Sequence, residues 1–459
     1  MSDHVDGPRS IATAEVTLVE ASDVQAIVLR PRPRPYRGEY VILRIGDARQ
    51  GREMLRRILP HVAPADEWWV PSLPGWLGIG FTFEGLKALG RAAGISGQFP
   101  DRIQARHGGA RRDPARLRCQ RAGKLGTSVW HARTCTSPWR STPETMQDLQ
   151  RVSGARAQGA CRAPADLGRL SDAVRRTAGG AQPLRLQGWP AQPHVEGSGP
   201  AHAGSEAPIK AGEFILGYPD ENGETAQAPV PQELRHNGTF VAFRKFHMDV
   251  AAFRRYLRAQ ASSPEEEELI AAKMVGRWRS GAPLALAPDR DEPELGADPT
   301  RNNAFSYADD MKGLKCPFSA HIRRVNPRDA LKDEVVAVNL HHFLRRGTNY
   351  GPPLPEGVLE DDGAERGGVF LLIGAHLQRQ FEFMQSQWAT DGNFISHGTE
   401  QDPLIGNNDG DGDFTIPARP ARRRLHGLPR FVTVRGGEYC FIPGLRALRW
   451  LAALGSSSA

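Results

Sequence analysis

The chain of 459 residues has no stretch approaching 18 uninterrupted apolar residues, so no transmembrane helix is expected. Its opening, MSDHVDGPRSIATAEVTLVE, lacks the basic start and apolar centre of a secretory signal. Cysteine is scarce: Cys119, Cys135, Cys161, Cys316 and Cys440 are odd in number and widely spaced, which excludes a disulfide framework and a zinc ribbon. These absences together predict a cytoplasmic protein with no membrane partner. The Asn237-Gly-Thr sequon is then a chance match.

A genuine excess of positive charge across the chain is also missing. The net charge is +7, but residues 105–190 hold 16 of the 59 Lys and Arg and only 5 of the 52 Asp and Glu. That segment carries about +11 and the remainder about −4, so the charge belongs to one stretch and does not point to a nucleic-acid partner. The same stretch contains no Phe or Tyr, three of the five cysteines and weak apolar periodicity, with RSTPETMQDLQRV its one persuasive helix. By composition it is poorly packed chain.

Hydrophobic residues make up 39% of the sequence, enough for a sizeable core. The alternation in YVILRIGD predicts a strand, and ARQGREMLRRILPHV has helical spacing through Met54, Leu55, Ile58 and Leu59. GIGFTFEGLKALG reads as strand, then helix, then a glycine stop. Beyond residue 205, GEFILGY, GTFVAFRKF, EVVAVNLHHFLRR and GGVFLLIGA read as strands. SSPEEEELIAAKMVGRW is a helix opened by Ser, Pro and acids in its first turn. HLQRQFEFMQSQW is helical, with Leu377, Phe381, Met384 and Trp388 on one face. PRFVTVRGGEYCFIP reads as a hairpin about Gly436-Gly437, followed by a terminal helix GLRALRWLAAL. No internal repeat is visible beyond two halves that each mix strands and helices.

Three segments carry the chemistry: CPFSAHIRRVNPR around His321, FLRRGTNYGP around Arg345, and EQDPLIGNNDGDGDF around Asp402. With QRQFEFMQSQW and GLPRFVTVRGGEYCFIPG, their order resembles the dye-decolorizing peroxidases, a haem peroxidase family. The resemblance is loose over 23–100 and close over 193–455. It implies an α+β fold of two ferredoxin-like units with antiparallel sheets, the haem held mainly by the C-terminal one. The boundaries it suggests are a tail at 1–22, an N-terminal unit at 23–200 with 105–190 aberrant, and a C-terminal unit at 201–459.

The resemblance implies haem b as cofactor, with hydrogen peroxide and a bulky organic reductant as partners and self-association as a family habit. His321 matches the proximal iron ligand, and a neutral imidazole suits that task. Asp402 matches the acceptor for the ring's other N–H, which would fix its orientation. Arg345 matches the distal guanidinium, a cation that cannot lose its proton and so stabilises charge on a departing oxygen. Val369, Leu371 and Ile373 alternate and either wall the distal pocket or form a core face. Arg323 and Arg324 either pair with haem propionates or are solvated. Arg346, next to Arg345 on a strand, points to the opposite face, as do the adjacent His341 and His342. The calcium-like NNDGDGDFTIPA has Ala418 at its twelfth position where a Glu is required.

One family motif is lacking. Its Gly-x-x-Asp-Gly supplies an acid over the haem that moves the peroxide proton, and the matching place reads LRLQGWPAQPHVEGSG. Asp220 in GYPDE is a weaker substitute and reads as a turn residue. Arg-Leu-Gln-Gly-Trp-Pro can be encoded so that a shift of one base yields Gly-Tyr-Lys-Asp-Gly. Translation of about 105–190 out of frame explains the missing motif, the arginines and the clustered cysteines together. The expected product is a haem peroxidase of impaired turnover, or else a non-catalytic haem-binding protein.

Overall fold

The computed structural model describes residues 18–30, 37–66, 75–90, 128–135, 192–200, 206–331, 337–393 and 398–455. Residues 1–17 of the tail expected at 1–22, the helix expected at 140–152 and the altered motif at 185–190 lie outside the described residues; of 105–190, only 128–135 falls within them.

Nine strands are described: β1 (Arg37–Arg44), β2 (Gly75–Thr82), β3 (Ser128–Cys135), β4 (Thr239–Met248), β5 (Leu344–Tyr350), β6 (Gly367–Gly374), β7 (Gly412–Ile416), β8 (Arg423–Leu428) and β9 (Val432–Ile442). β7 and β8 pair as a separate hairpin; the other seven form one sheet in the order β1-β3-β2-β9-β4-β6-β5, antiparallel throughout. Numbered within their own half, the last four strands of that sheet run 4-1-3-2, the ferredoxin-like order. The first three run 1-3-2, the same order with its fourth place unfilled among the described residues. The expected α+β class of two ferredoxin-like sheets is therefore observed. β9 joins them by pairing Phe81 with Phe441 and Thr82 with Cys440.

The principal helices are α1 (Ala48–Ile58), α2 (Phe83–Gly90), α3 (Val250–Gln260), α4 (Pro264–Val275), α5 (His321–Val325) and α6 (Leu445–Ala453). α4 forms for the reasons visible in its sequence. Ser263 caps it by accepting from the Glu266 N–H, Pro264 occupies the first turn, and acids follow. It stops at Gly276, whose φ of +93° is left-handed. A side chain at Gly276 would also meet Ile322 Cγ1 at 2.3 Å, so the glycine lets α4 approach α5. No helix among the described residues is long and apolar enough to cross a membrane.

The sheet has a core on each face. Phe240 and Ala242 of β4 with Phe370 and Leu372 of β6 pack into one; Val241 and Phe243 with Val369, Leu371 and Ile373 pack into the other. Burial on both faces explains the unbroken apolar reading of GGVFLLIG.

Three expected elements differ. GEFILGY is not a strand: a 3₁₀ turn at Ala211–Glu213 leads into loops that bury Phe214, Ile215 and Leu216, because a short apolar run also suits a buried turn. EVVAVNLHHFLRR divides into a 3₁₀ turn at Val338–His341 and the start of β5, with 332–336 outside the described residues. Gly436-Gly437 makes no hairpin. β9 runs straight through it, pairing Gly437 with Arg244, where a Cβ would sit 2.7 Å from the arginine Cδ. HLQRQFEFMQSQW is helical but wound as π turns, Gln378–Glu382 and Met384–Ala389, and buries Leu377, Phe381, Met384 and Trp388 as expected.

Gln25 ties the two ends of the chain to the sheet. Its fully buried amide donates to the Ile79 and Pro443 carbonyls and accepts from the Ile79 N–H. Gln25→Leu strands those groups without partners and is expected to lower stability by about 3 kcal/mol in urea unfolding; a loss below about 0.5 kcal/mol would contradict this account.

Candidate functional site

α5 is bolted in place by its two arginines. Arg323 is fully buried, bonds Asp310 Oδ2 at 2.9 Å and the Cys316 carbonyl at 2.7 Å, and lies over the rings of Tyr307 and Phe318. Arg324, equally buried, donates to the carbonyls of Trp388, Asp391 and Glu400. Neither is solvated and neither lines the cavity described below. Both expectations for this pair are corrected, because the backbone carbonyls and Asp310 already use their donors.

His321 is the first residue of α5. Its Nδ1 lies 2.8 Å from Asp402 Oδ2. Asp402 is wholly buried, and its Oδ1 accepts the N–H groups of Leu404 and Ile405 at 2.8 and 2.9 Å. Burial alone would raise the Asp402 carboxyl, but the imidazole beside it and the two backbone donors hold it below the ordinary carboxylate value. A carboxylate on Nδ1 selects the tautomer that carries its proton there, leaving Nε2 with a lone pair for a metal. The sequence expectation for this pair is met in geometry. Asn408 steadies it by donating to the Asp402 carbonyl at 2.8 Å, and Asp409 pairs with Arg430 at 2.5 Å, which accounts for part of the calcium-like loop.

An open-mouthed cleft lies between α5 and β5. α5 supplies Ile322 and Val325; His321 itself is not in the wall. Arg345 is, on the inward face of β5, with its backbone N–H on Gln192 Oε1 at 2.7 Å. Burial lowers its guanidinium to about 10, opposed by the Glu206 charge, so it stays cationic at neutral pH. Arg346 points the other way and donates to the carbonyls of Ile27 and Val28, as the strand period requires.

Val369 and Leu371 are corrected. They pair with Thr348 and Arg346, so they share the face opposite Arg345 and fill the second core with Ile373. Phe370 and Leu372 carry the face that Arg345 uses. Asp220 is a buried turn residue, accepting from Asn222 and Glu224 and pairing with Arg379 at 2.9 Å. His341 and His342 lie at the end of a 3₁₀ turn rather than on a strand. His341 stacks on Phe383 at 3.8 Å, while His342 Nε2 meets Asn326 Oδ1 at 3.2 Å.

Sequence reading missed most of the polar cavity wall: Arg277, Arg328, Glu206, Asn303, Asn326 and His342. Arg328 had a signal. It follows Asn326-Pro327, where a helix from His321 must end, so it leaves the helix that buries Arg323 and Arg324. Three guanidiniums face one carboxylate in that wall. Burial lowers His342 to about 4, so it is neutral at pH 7, and its buried Nδ1 has no hydrogen-bond partner.

No family model matches the chain. Among curated proteins it is 33% identical over 310 residues to the dye-decolorizing peroxidase msp1 of Mycetinis scorodonius, covering 60% of this chain and 59% of that one. It is 37% identical over 232 residues to dye-decolorizing peroxidase AauDyP1 of Auricularia auricula-judae, covering 46% of each. The chain thus spans about three fifths or less of the length of these curated relatives. A solved dye-decolorizing peroxidase in complex with 2,6-dimethoxyphenol superposes with a TM-score of 0.75 at 26% identity, covering 95% of this chain and all of that one. The crystal structure of the Auricularia auricula-judae enzyme gives the same TM-score at 25% identity.

The depressed Asp402 carboxyl makes a test. Its pairing with His321 stabilises the fold fully above about pH 5 and is lost as pH falls through the acid range below about 4, since the folded group titrates below the unfolded one. The stability advantage of the wild type over Asp402→Asn, read from urea midpoints, is expected to shrink from about pH 6 to about pH 3.5. A constant or growing gap would show that the carboxylate charge is not what stabilises.

Proposed function

We propose that the chain is a dye-decolorizing peroxidase, like the proteins it is similar to in sequence and fold, and that it uses haem and hydrogen peroxide to oxidise bulky organic donors. The observation that carries this reading is the His321–Asp402 pair at 2.8 Å, at the head of a helix that walls a cleft containing Arg345.

The residues present fit haem b. The wall combines apolar Ile322, Val325 and Phe343 with three guanidiniums, which suits a flat apolar ring bearing two carboxylates. The orphaned Nδ1 of His342 marks a buried polar position awaiting a partner. In this assignment His321 Nε2 would ligate the haem iron, Arg277 and Arg328 would belong to the cationic wall that takes the propionates, Arg345 would face the peroxide, and the C-terminal half, 201–459, would hold most of the group. When bound, haem supplies the redox chemistry of peroxide cleavage and one-electron oxidation.

The chain's own residues do three things. Asp402 accepts the Nδ1 proton of His321, which fixes the ring and makes Nε2 more basic. Arg345 keeps a positive charge aimed into the cavity, where a departing oxygen needs it. Gln192, two residues beyond the altered motif, bonds the Arg345 backbone, so the chain returns to the cavity at the place where a distal acid is needed. The sequence offers no Asp there, and turnover is expected to be weak. A non-catalytic haem-binding protein is the second reading, favoured by that one loss.

His321→Ala is expected to abolish stoichiometric haem uptake, seen as loss of the Soret band. Arg345→Leu is expected to retain haem but cut peroxide-dependent dye oxidation by about 10²–10³. Uptake unchanged by His321→Ala would end the assignment. Restoring 105–190 to the alternative frame should raise dye oxidation by about 10²–10⁴. A wild type that shifts its Soret band with cyanide, yet oxidises no dye even after restoration, would be the binding protein instead.

A further inference from the structure

One carboxylate oxygen does more than its share in the cavity wall. Glu206 Oε1 lies 3.0 Å from an Arg328 nitrogen and 3.4 Å from the side-chain amides of both Asn303 and Asn326. Its charge also bears on Arg345 and His342, opposing the fall of each. The donors are fixed without it. Arg328 bonds the Phe305 carbonyl at 2.9 Å and Asn303 Oδ1 at 2.6 Å, and lies 3.9 Å above the Phe305 ring. Arg277, fully buried, donates to the Gly281 and Asn302 carbonyls and to Asn303 Oδ1. The acceptor is the loose member: the Glu206 side chain is 33% exposed against 10% for Arg328.

A rigid set of donors around a movable carboxylate is a site built for a carboxylate, with one of the chain's own inside. We propose that Glu206 holds the place of one cofactor propionate in the unloaded chain and must swing out as the cofactor enters. This rests on the haem reading above and adds to it a contact that opposes loading. Removing the Glu206 charge frees Arg328, Asn303 and Asn326 for the incoming group, whereas a ligand without carboxylate charge gains nothing from that removal.

The experiment is a hemin titration of the purified full-length apoprotein followed by Soret absorbance, for wild type, Glu206→Gln and Glu206→Ala, repeated with hemin dimethyl ester. Both variants are expected to bind hemin about 5-fold more tightly than wild type, the size of a partly exposed ion pair. The gain should narrow at about 0.5 M salt and vanish with the ester. Equal or weaker hemin binding by both variants overturns the proposal, as does the same gain with the ester. Failure of all three proteins to take up hemin removes the haem reading and this inference with it; uptake by wild type without a gain in the variants removes the inference alone.

Discussion

Everything in the candidate site depends on holding one imidazole still. His321 starts a helix of only five residues, too short to hold itself. Its rigidity is borrowed: Arg323 and Arg324 anchor the helix to the Asp310 carboxylate and to five backbone carbonyls, and Asp402 fixes the ring from the side. The two guanidiniums are costly to bury, and the terminal nitrogens of each donate to carboxylate or carbonyl oxygens. Gly276 contributes by absence, since any side chain there would strike Ile322, the residue after the histidine. The interaction at Nδ1 is thus the visible end of a larger arrangement that spans 276–405.

How far the sequence foretold this depends on the kind of signal. His321, Asp402 and Arg345 stand in contiguous motifs, and the first two are joined by the hydrogen bond expected of them. The strand period separated Arg345 from Arg346 correctly. It could not say which face of β6 looks into the cavity, because all eight residues of that strand are buried, and so Val369 and Leu371 were placed on the wrong side. Arg323 and Arg324 look like surface residues in one dimension. Arg323 becomes core against Tyr307, Asp310 and Cys316, and Arg324 through the carbonyls of Trp388, Asp391 and Glu400, far away in sequence. Gly436-Gly437 has the composition of a turn and the function of a close approach, and the arginine that requires it lies nearly 200 residues earlier.

The cavity wall illustrates the same limit in electrostatic form. Arg277, Arg328 and Glu206 come from a helix end, a loop after proline and a segment a further 70 residues upstream. No local pattern unites them. What unites them is a shortage of acceptors: buried guanidiniums must find oxygen, and where the backbone does not supply enough, a carboxylate from elsewhere in the chain or from a ligand completes the set.

That principle also bears on the missing acid. A distal guanidinium and a distal carboxylate perform separate tasks in the proposed chemistry, one stabilising charge and the other relocating a proton. Arg345 is placed for the first task by β5 and by its backbone bond to Gln192. The imidazole of His342 cannot simply replace the carboxylate. Although neutral and unpartnered at Nδ1, it is tied through Nε2 to Asn326, on the segment that follows α5, and so belongs with the carboxylate-binding wall. Under the proposed assignment, the parts that would bind a cofactor and stabilise charge are anchored in the C-terminal half, while the sequence offers no acid in the matching motif to move the proton. Binding and turnover should come apart in this protein, because the residues behind each are anchored by different elements of the fold.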